Sequence, residues 1–380
     1  MSTNTIIGAI VVIIVLIGGY FIFSQPAKAP VTESAIKIGF IGALTGDGAS
    51  YGEPQQRVIQ LAVDEVNKNG GFDGKQVEVV YEDAKCTGEG GANAAQKLVN
   101  VDKVQIILGG TCSGETLAAV PVAEAGKVAI VTGSATSPDL IGKSPYFFRV
   151  YPNDSVQGQV LAQGAWDRGW KKIAVIQEST DYPLGIYKAF AATYEPLGGT
   201  LTKDEFKTDT TDFRSVLSKI KALKPDAVFV DTQTVASASR IFTQIDALGW
   251  KPQLIVNDVT SGDPVTLMAN KKILEGALGA DFVLNLDNPK LKKLTEVYKA
   301  TYGDDLRYPT YSSAVYDSFY IALDAIKAVG YDGTKIAAWG HSSIQNWDGA
   351  SGMITVGANG ERQAGHSLMI IKDAKETVAK

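Results

Sequence analysis

Two stretches of this 380-residue chain place hydroxyl side chains and glycines where a β-rich run ends and a helical run begins. In Gly109-Gly110-Thr111-Cys112-Ser113-Gly114-Glu115-Thr116, a serine hydroxyl and the free N–H groups of a helix N-terminus are chemistry suited to a carboxylate. Thr132-Gly133-Ser134-Ala135-Thr136-Ser137-Pro138 repeats the arrangement after the next β-rich run. Ser and Thr are also ordinary helix caps, so each stretch alone reads equally as capping. Catalysis has less to start from. The two histidines, His341 and His366, stand outside any H-E-x-x-H, G-x-S-x-G or P-loop context and read as solvated or core-edge residues. Gly46-Asp47-Gly48-Ala49-Ser50-Tyr51-Gly52 sets its last glycine one residue too far for the dinucleotide fingerprint. With Glu82-Asp83 closing the second β-rich run, it leaves a nicotinamide-dependent enzyme as a minor alternative; otherwise no cofactor is expected.

The elements that must hold these stretches alternate. Short β-branched runs at 36–43, 76–82, 105–108 and 128–131 interleave with helical patterns at 53–68, at 91–100 and after Gly114. The same grammar restarts after Arg149-Val150-Tyr151-Pro152, with helices at 156–166, 184–197, 213–223 and 235–248 between strands at 172–176, 199–206, 227–230 and 253–256. Strict βαβα alternation predicts a parallel sheet covered by helices on both faces, here twice. Both hydroxyl-rich turns then fall at carboxyl ends of adjacent strands, where open sheets of this kind bind ligands. Helices at 289–302 and 312–329 complete a lobe rather than found a third, and strands at 353–356 and 367–371 read as a closing hairpin through Gly357-Ala358-Asn359-Gly360.

The length suits two domains, and 45% apolar with 20% charged residues is ordinary globular composition. A net charge of −5 without a basic run argues against a nucleic-acid partner. Residues 6–23, IIGAIVVIIVLIGGYFIF, are uncharged and long enough to span a bilayer. They read as an uncleaved anchor, or as a signal segment cut near Ala27-Lys28-Ala29, and residues 24–35 as a linker. No cysteine nearby could carry a lipid. The two cysteines, Cys86 and Cys112, read as a disulfide outside the reducing cytosol, with two unrelated buried thiols as the alternative.

At these residues the chain resembles the branched-chain amino-acid-binding proteins of ABC transporters. The resemblance rests on Ile38-Gly39-Phe40-Ile41-Gly42-Ala43-Leu44-Thr45-Gly46, Tyr51-Gly52, Asn69-Gly70-Gly71, Glu82-Asp83-Ala84-Lys85-Cys86, Cys112-Ser113, Gly133-Ser134-Ala135-Thr136-Ser137-Pro138 and Phe148-Arg149, and it runs from Ile36 to about Lys372. It implies two Rossmann-like lobes, 36–150 with 282–351 and 151–281 with 352–376, joined by three crossovers near Val150, Asp281 and Gly352. It also implies a ligand enclosed as the lobes close and delivered to membrane permease subunits. Carried over by position, Ser113 and Thr136 cradle the ligand carboxylate with backbone help from Ser134 and Ala135. Tyr51 and Tyr182 line the side-chain pocket, Asp258 meets the ammonium group, and Cys86 pairs with Cys112. Many relatives carry Glu where Asp258 stands, and a further pocket tyrosine has become Gln233 or Thr234, so another amino acid or a small amide also fits. A sensing module for a membrane receptor shares this fold, but the chain ends at Lys380 directly after its last strand, which favours transport.

Overall fold

The computed structural model describes residues 35–379. β1 (Ile36–Gly42) is buried over its last five residues, as a strand covered on both faces requires. It leads into α1 (Ala49–Lys68), whose buried Tyr51, Gln55, Val58, Ile59, Ala62 and Val63 recur at helical spacing. The helix stops at Asn69-Gly70-Gly71, where Gly71 has φ +83° and a Cβ would lie 2.2 Å from the Lys75 carbonyl oxygen, so only glycine fits. β2 (Val77–Asp83), α2 (Gly88–Asn100), β3 (Ile106–Gly109), α3 (Ser113–Ala125), β4 (Ala129–Thr132) and β5 (Phe147–Arg149) complete a parallel sheet in the order β2-β1-β3-β4-β5.

The second lobe repeats the pattern with α4 (Asp154–Asp167), β6 (Lys172–Glu178), α5 (Asp181–Tyr194), β7 (Thr200–Phe206), α6 (Arg214–Leu223), β8 (Ala227–Asp231), α7 (Val235–Ala247), β9 (Leu254–Val256) and β10 (Leu278–Asp281). The chain then returns. α8 (Pro289–Tyr302), α9 (Pro309–Val329) and α10 (Gly333–Gly340) pack Leu294, Tyr298, Phe319 and Ile336 into the same core as Ile38, Phe40 and Ile106. β11 (Trp347–Gly349) pairs with β12 (Gly352–Ile354), while β13 (Ser367–Lys372) and β14 (Lys375–Val378) extend the second sheet antiparallel, in the order β14-β13-β10-β9-β8-β6-β7.

The expected hairpin of 353–356 with 367–371 does not form. Ile354 and Val356 are buried in the first lobe's core, whereas Leu368, Ile370 and Ile371 pack in the second lobe, so the two runs have different sheets to join. The third crossing therefore comes later than Gly352. Arg362 sits in it and ties the hinge together. Its guanidinium donates to the Val150 carbonyl (2.8 Å) and to the Ser351 hydroxyl and carbonyl (both 3.0 Å), and lies 4.6 Å from the Phe282 ring. Tyr151 joins the first crossing to the second by donating to Asp281 Oδ1 at 3.0 Å. Among the described residues no helix is long and apolar enough to cross a membrane; the apolar stretch 6–23 lies outside them.

Candidate functional site

The sheet orders place a switch point between β1 and β3 in the first lobe and between β6 and β8 in the second, and crevices outside such points bind ligands. Here the two crevices face each other around a narrow cavity of about 20 Å³, room for little more than a water molecule in this closed form. From the first lobe it is lined by Tyr51 and Gln55 of α1, Thr111 to Ser113 at the start of α3, Ser134 after β4, and Tyr308 and Tyr311 at the start of α9. Tyr182, Gln233 and Val259 line it from the second lobe, one after each of β6, β8 and β9.

The first-lobe wall is a closed hydrogen-bonded ring. Thr111 Oγ1 donates to Gln55 Oε1 (2.9 Å), Gln55 Nε2 donates to Ser134 Oγ (2.8 Å), and Ser134 Oγ donates to the Thr111 carbonyl (2.8 Å). Ser113 opens α3, so its first-turn N–H groups lack helical acceptors, and its hydroxyl accepts from the Ser137 N–H at 3.1 Å. The disulfide Cys86–Cys112 closes this wall, with Cα atoms 5.3 Å apart. Beneath it Glu115 accepts from the N–H groups of Cys112 (2.9 Å) and Cys86 (3.1 Å). Burial nevertheless pushes its carboxyl up to about 7 against the pull of those bonds.

The second-lobe wall is tyrosine over acid. Asp258 is fully buried, with Tyr182 OH donating to Oδ1 and Tyr311 OH donating to Oδ2, the latter at 2.6 Å. Burial would raise its pKa, but His366, 3.8 Å from Oδ2, together with the two tyrosines holds the carboxyl below the usual range. Asp154, first residue of α4, is equally buried, and neither of its oxygens has a hydrogen-bond partner of good geometry among the described residues. Its backbone N–H donates to the Thr136 carbonyl at 3.0 Å, and the Thr136 hydroxyl beside it is likewise unpartnered. Burial, then the Asp258 charge, push the Asp154 carboxyl well above its ordinary value.

The lobes are shut on each other. Tyr51 OH donates to the Gln233 carbonyl (2.7 Å) and accepts from the Val235 N–H (3.1 Å), and Arg307 pairs with Asp263 at 2.6 Å. Of the seven residues expected at the site, the structure puts Tyr51, Ser113, Ser134 and Tyr182 on the cavity. Asp258 and Thr136 stand one layer behind it, Asp258 screened by Tyr182 and Tyr311. Ala135 also lies outside the lining, with its N–H committed to Thr132 Oγ1 (3.1 Å) and its carbonyl to Arg149 (3.2 Å). Gln233 faces the cavity, whereas Thr234 caps α7. His366 is not solvated: it is buried edge-on to Tyr151, 6.2 Å between ring centroids, beside Asp258.

Sequence reasoning passed over Gln55, Tyr308, Tyr311, Asp154 and His366. Gln55 was legible four residues beyond Tyr51 on one helix face, and the tyrosines flank Pro309 at a helix start. Asp154 reads as an ordinary acid in a helix's first turn. Asp83, held open for a ribose, instead accepts from the Leu44 N–H (2.9 Å) and Thr45 N–H (3.3 Å) and closes the loop after β1.

The family model described as Periplasmic binding protein matches residues 35–375. A leucine-, isoleucine-, valine-, threonine- and alanine-binding protein of Pseudomonas aeruginosa is 28% identical over 318 residues, 82% of this chain and 83% of that one. A branched-chain amino acid transporter substrate-binding protein from Streptococcus pneumoniae, solved with isoleucine, superposes with TM-score 0.81 at 28% identity, covering 91% of this chain and 99% of that one. An ABC transporter solute-binding protein from R. palustris, solved with benzoate, shares the fold at TM-score 0.81 and 20% identity, with 91% of this chain and 95% of that one covered. With two mainly parallel α/β lobes closed on a central cavity, the chain belongs to the periplasmic binding protein family, extracytoplasmic proteins that bind solutes and catalyse no reaction.

Proposed function

We propose that this protein captures a small α-amino acid between its lobes and delivers it to the permease of an ABC transporter. The observation that carries the reading is the contrast across the cavity: neutral donors at the start of α3 on one side, and on the other two buried carboxyl groups to which no Lys or Arg among the described residues is bonded. An amino acid is dipolar in the matching sense. Its carboxylate takes hydrogen bonds from the Ser113 hydroxyl and the first turn of α3, against the ring that holds Ser134. Its ammonium group displaces the tyrosine hydroxyls from Asp258 and reaches the unpartnered Asp154 and Thr136 oxygens. The side chain then lies among Tyr51, Tyr308, Val259 and Gln233. Because Gln55 and Gln233 make that end more polar than an aliphatic pocket needs, a threonine-sized polar side chain or a side-chain amide fits beside the branched aliphatic ones.

Since the ligand is gripped from both lobes, it favours the closed form by its differential affinity. A thermal-shift screen of amino acids, their deaminated acids and benzoate tests the reading. An amino acid at 100 times its Kd raises stability by about 2.7 kcal/mol, and the matching acid without an amino group does much less. If benzoate or another aryl acid stabilises and no amino acid does, the reading is wrong.

A further inference from the structure

Asp154, Asp258 and His366 form a second kind of cup inside the same lobe. One oxygen from each carboxylate and one ring nitrogen all lie within 4.8 Å of one another, and His366 Nε2 is 3.8 Å from Asp258 Oδ2. All three residues are buried, and neither Asp154 oxygen nor either His366 nitrogen has a hydrogen-bond partner among the described residues. The nearest permanent cation, Arg149, is spent on Glu361 (2.7 Å) and on the carbonyls of Ala135 and Ser137. Two carboxylates this close in a dry pocket repel strongly unless a cation lies between them.

The donor set narrows the cation. A proton relieves one charge, whereas a divalent ion relieves both, and one imidazole nitrogen with two carboxylate oxygens is a zinc-type set that leaves a fourth position for water. Bonds of about 2.0–2.2 Å in a tetrahedral site put ligand atoms roughly 3.3–3.6 Å apart, so groups that lie within 4.8 Å of one another need to draw in by at most about 1.5 Å. The cup is also preformed. Asp154 opens α4, Asp258 follows β9 and His366 precedes β13, all on the second lobe, so their spacing does not depend on closure. Thr136 and Tyr311 come from the first lobe and cover the cup in this closed form.

We propose that Asp154, Asp258 and His366 bind a single divalent cation of the zinc type when the cleft is open and empty, and that this cation and the ligand's ammonium group exclude each other. The site stands on the cup alone; the antagonism rests on the amino-acid reading above.

The test uses full-length protein stripped with chelator and titrated calorimetrically with Zn²⁺, with Co²⁺ as a spectroscopic probe. One equivalent of Zn²⁺ binds, and Co²⁺ gives the intense visible band of a four-coordinate N/O site. His366→Gln lowers Zn²⁺ affinity at least about tenfold, the range that even outer-shell partners of metal ligands reach. Asp154→Asn gives the same loss for Zn²⁺ and serves if the histidine variant does not fold. A saturating amino acid raises the apparent Zn²⁺ Kd, and Zn²⁺ raises the amino acid's by the same factor. No Zn²⁺ heat and no Co²⁺ band overturn the site, as does one equivalent that both variants bind like the native protein, which would place the metal on surface acids. Independent binding of Zn²⁺ and amino acid overturns the antagonism. If no amino acid binds at all, the amino-acid reading fails, while the Zn²⁺ titration still decides the cup.

Discussion

The two walls of the cleft solve opposite problems with similar material. On the first lobe, Gln55, Thr111 and Ser134 satisfy one another in a ring, so that wall is complete before anything binds. On the second, Tyr182, with Tyr311 reaching across from the first lobe, shields an acid pair, and the Asp154 carboxyl has no hydrogen-bond partner of good geometry among the described residues. A neutral, satisfied wall accepts an anion through dipoles, whereas a buried charge awaits its counter-charge from outside. On the proposed reading, the polarity of the ligand is set by which wall is left electrically incomplete.

The largest test breaks the first wall. The Cys86–Cys112 link spans 26 residues, and on the chain-entropy model it stabilises by about 3.5 kcal/mol. Cys86→Ser with Cys112→Ser should lower unfolding stability by about that amount in denaturant titrations, and ligand affinity should fall as well because Cys112 precedes Ser113 on the cavity. A double mutant as stable as the parent would mean that the helix start is fixed by Glu115 and the ring alone.

Next in size is the incomplete wall. Asp258→Asn keeps the shape and one of the two tyrosine-donated bonds but removes the charge, so amino-acid affinity should drop by roughly 2–4 kcal/mol, as for truncating one member of a desolvated pair. The fold should survive, since Asn still accepts at one oxygen. Calorimetry showing less than a threefold change, below about 0.7 kcal/mol, would detach the ammonium group from Asp258.

Glu115 is the exception on the neutral side, and pH exposes it. Its carboxyl sits near about 7 in the fold, above its ordinary value, with burial the largest cause. The folded state therefore holds a proton that the unfolded chain gives up, and this group's stabilisation is full at low pH and lost as pH rises through about 7. Glu115→Gln mimics the protonated form, so it should remove about 2 kcal/mol of the stability decline between about pH 5 and 7.5, to within a factor of two. Parallel stability–pH curves for variant and parent would place the proton elsewhere.

How much of this the sequence disclosed follows from what kind of force fixes each part. Strands such as Ala227–Asp231 and helices such as Val235–Ala247 are written in local apolar periodicity and caps, and they stand within a residue or so of where pattern puts them. The closing hairpin failed because Val356 and Ile371 answer to different cores, a tertiary fact that a turn-like Asn359-Gly360 does not carry. β10 and β14 were missed, since Leu278–Asp281 and Lys375–Val378 are only four residues each and gain their strand character from β13 between them. At the site, Ser113, Ser134, Tyr51 and Tyr182 were legible by position in the family pattern. His366 was not, because a histidine twelve residues beyond Ile354 shows nothing of the buried aspartate that the fold brings to 3.8 Å from it.

The smallest expected effect sharpens the comparison most. Ser134→Ala removes the hydroxyl that accepts from Gln55 and donates to Thr111, so the ring opens and the Gln55 amide loses its acceptor. A neutral hydrogen bond contributes about 0.5–1.5 kcal/mol, and the cavity lies beside both freed groups, so affinity should fall by about 1 kcal/mol or less with a small loss of stability. What matters is the ligand dependence of that loss. If the first wall reads the carboxylate and the second the ammonium group, Ser134→Ala should weaken an amino acid and its deaminated analogue by the same factor. Asp258→Asn should weaken the amino acid alone and leave the analogue unchanged or slightly tighter, because a carboxylate no longer repels it. Measuring both ligands on both variants separates the walls without assuming either contribution. An analogue that loses as much as the amino acid in Asp258→Asn would mean that the second wall acts by shape, and that the charge contrast across the cleft does not choose the ligand.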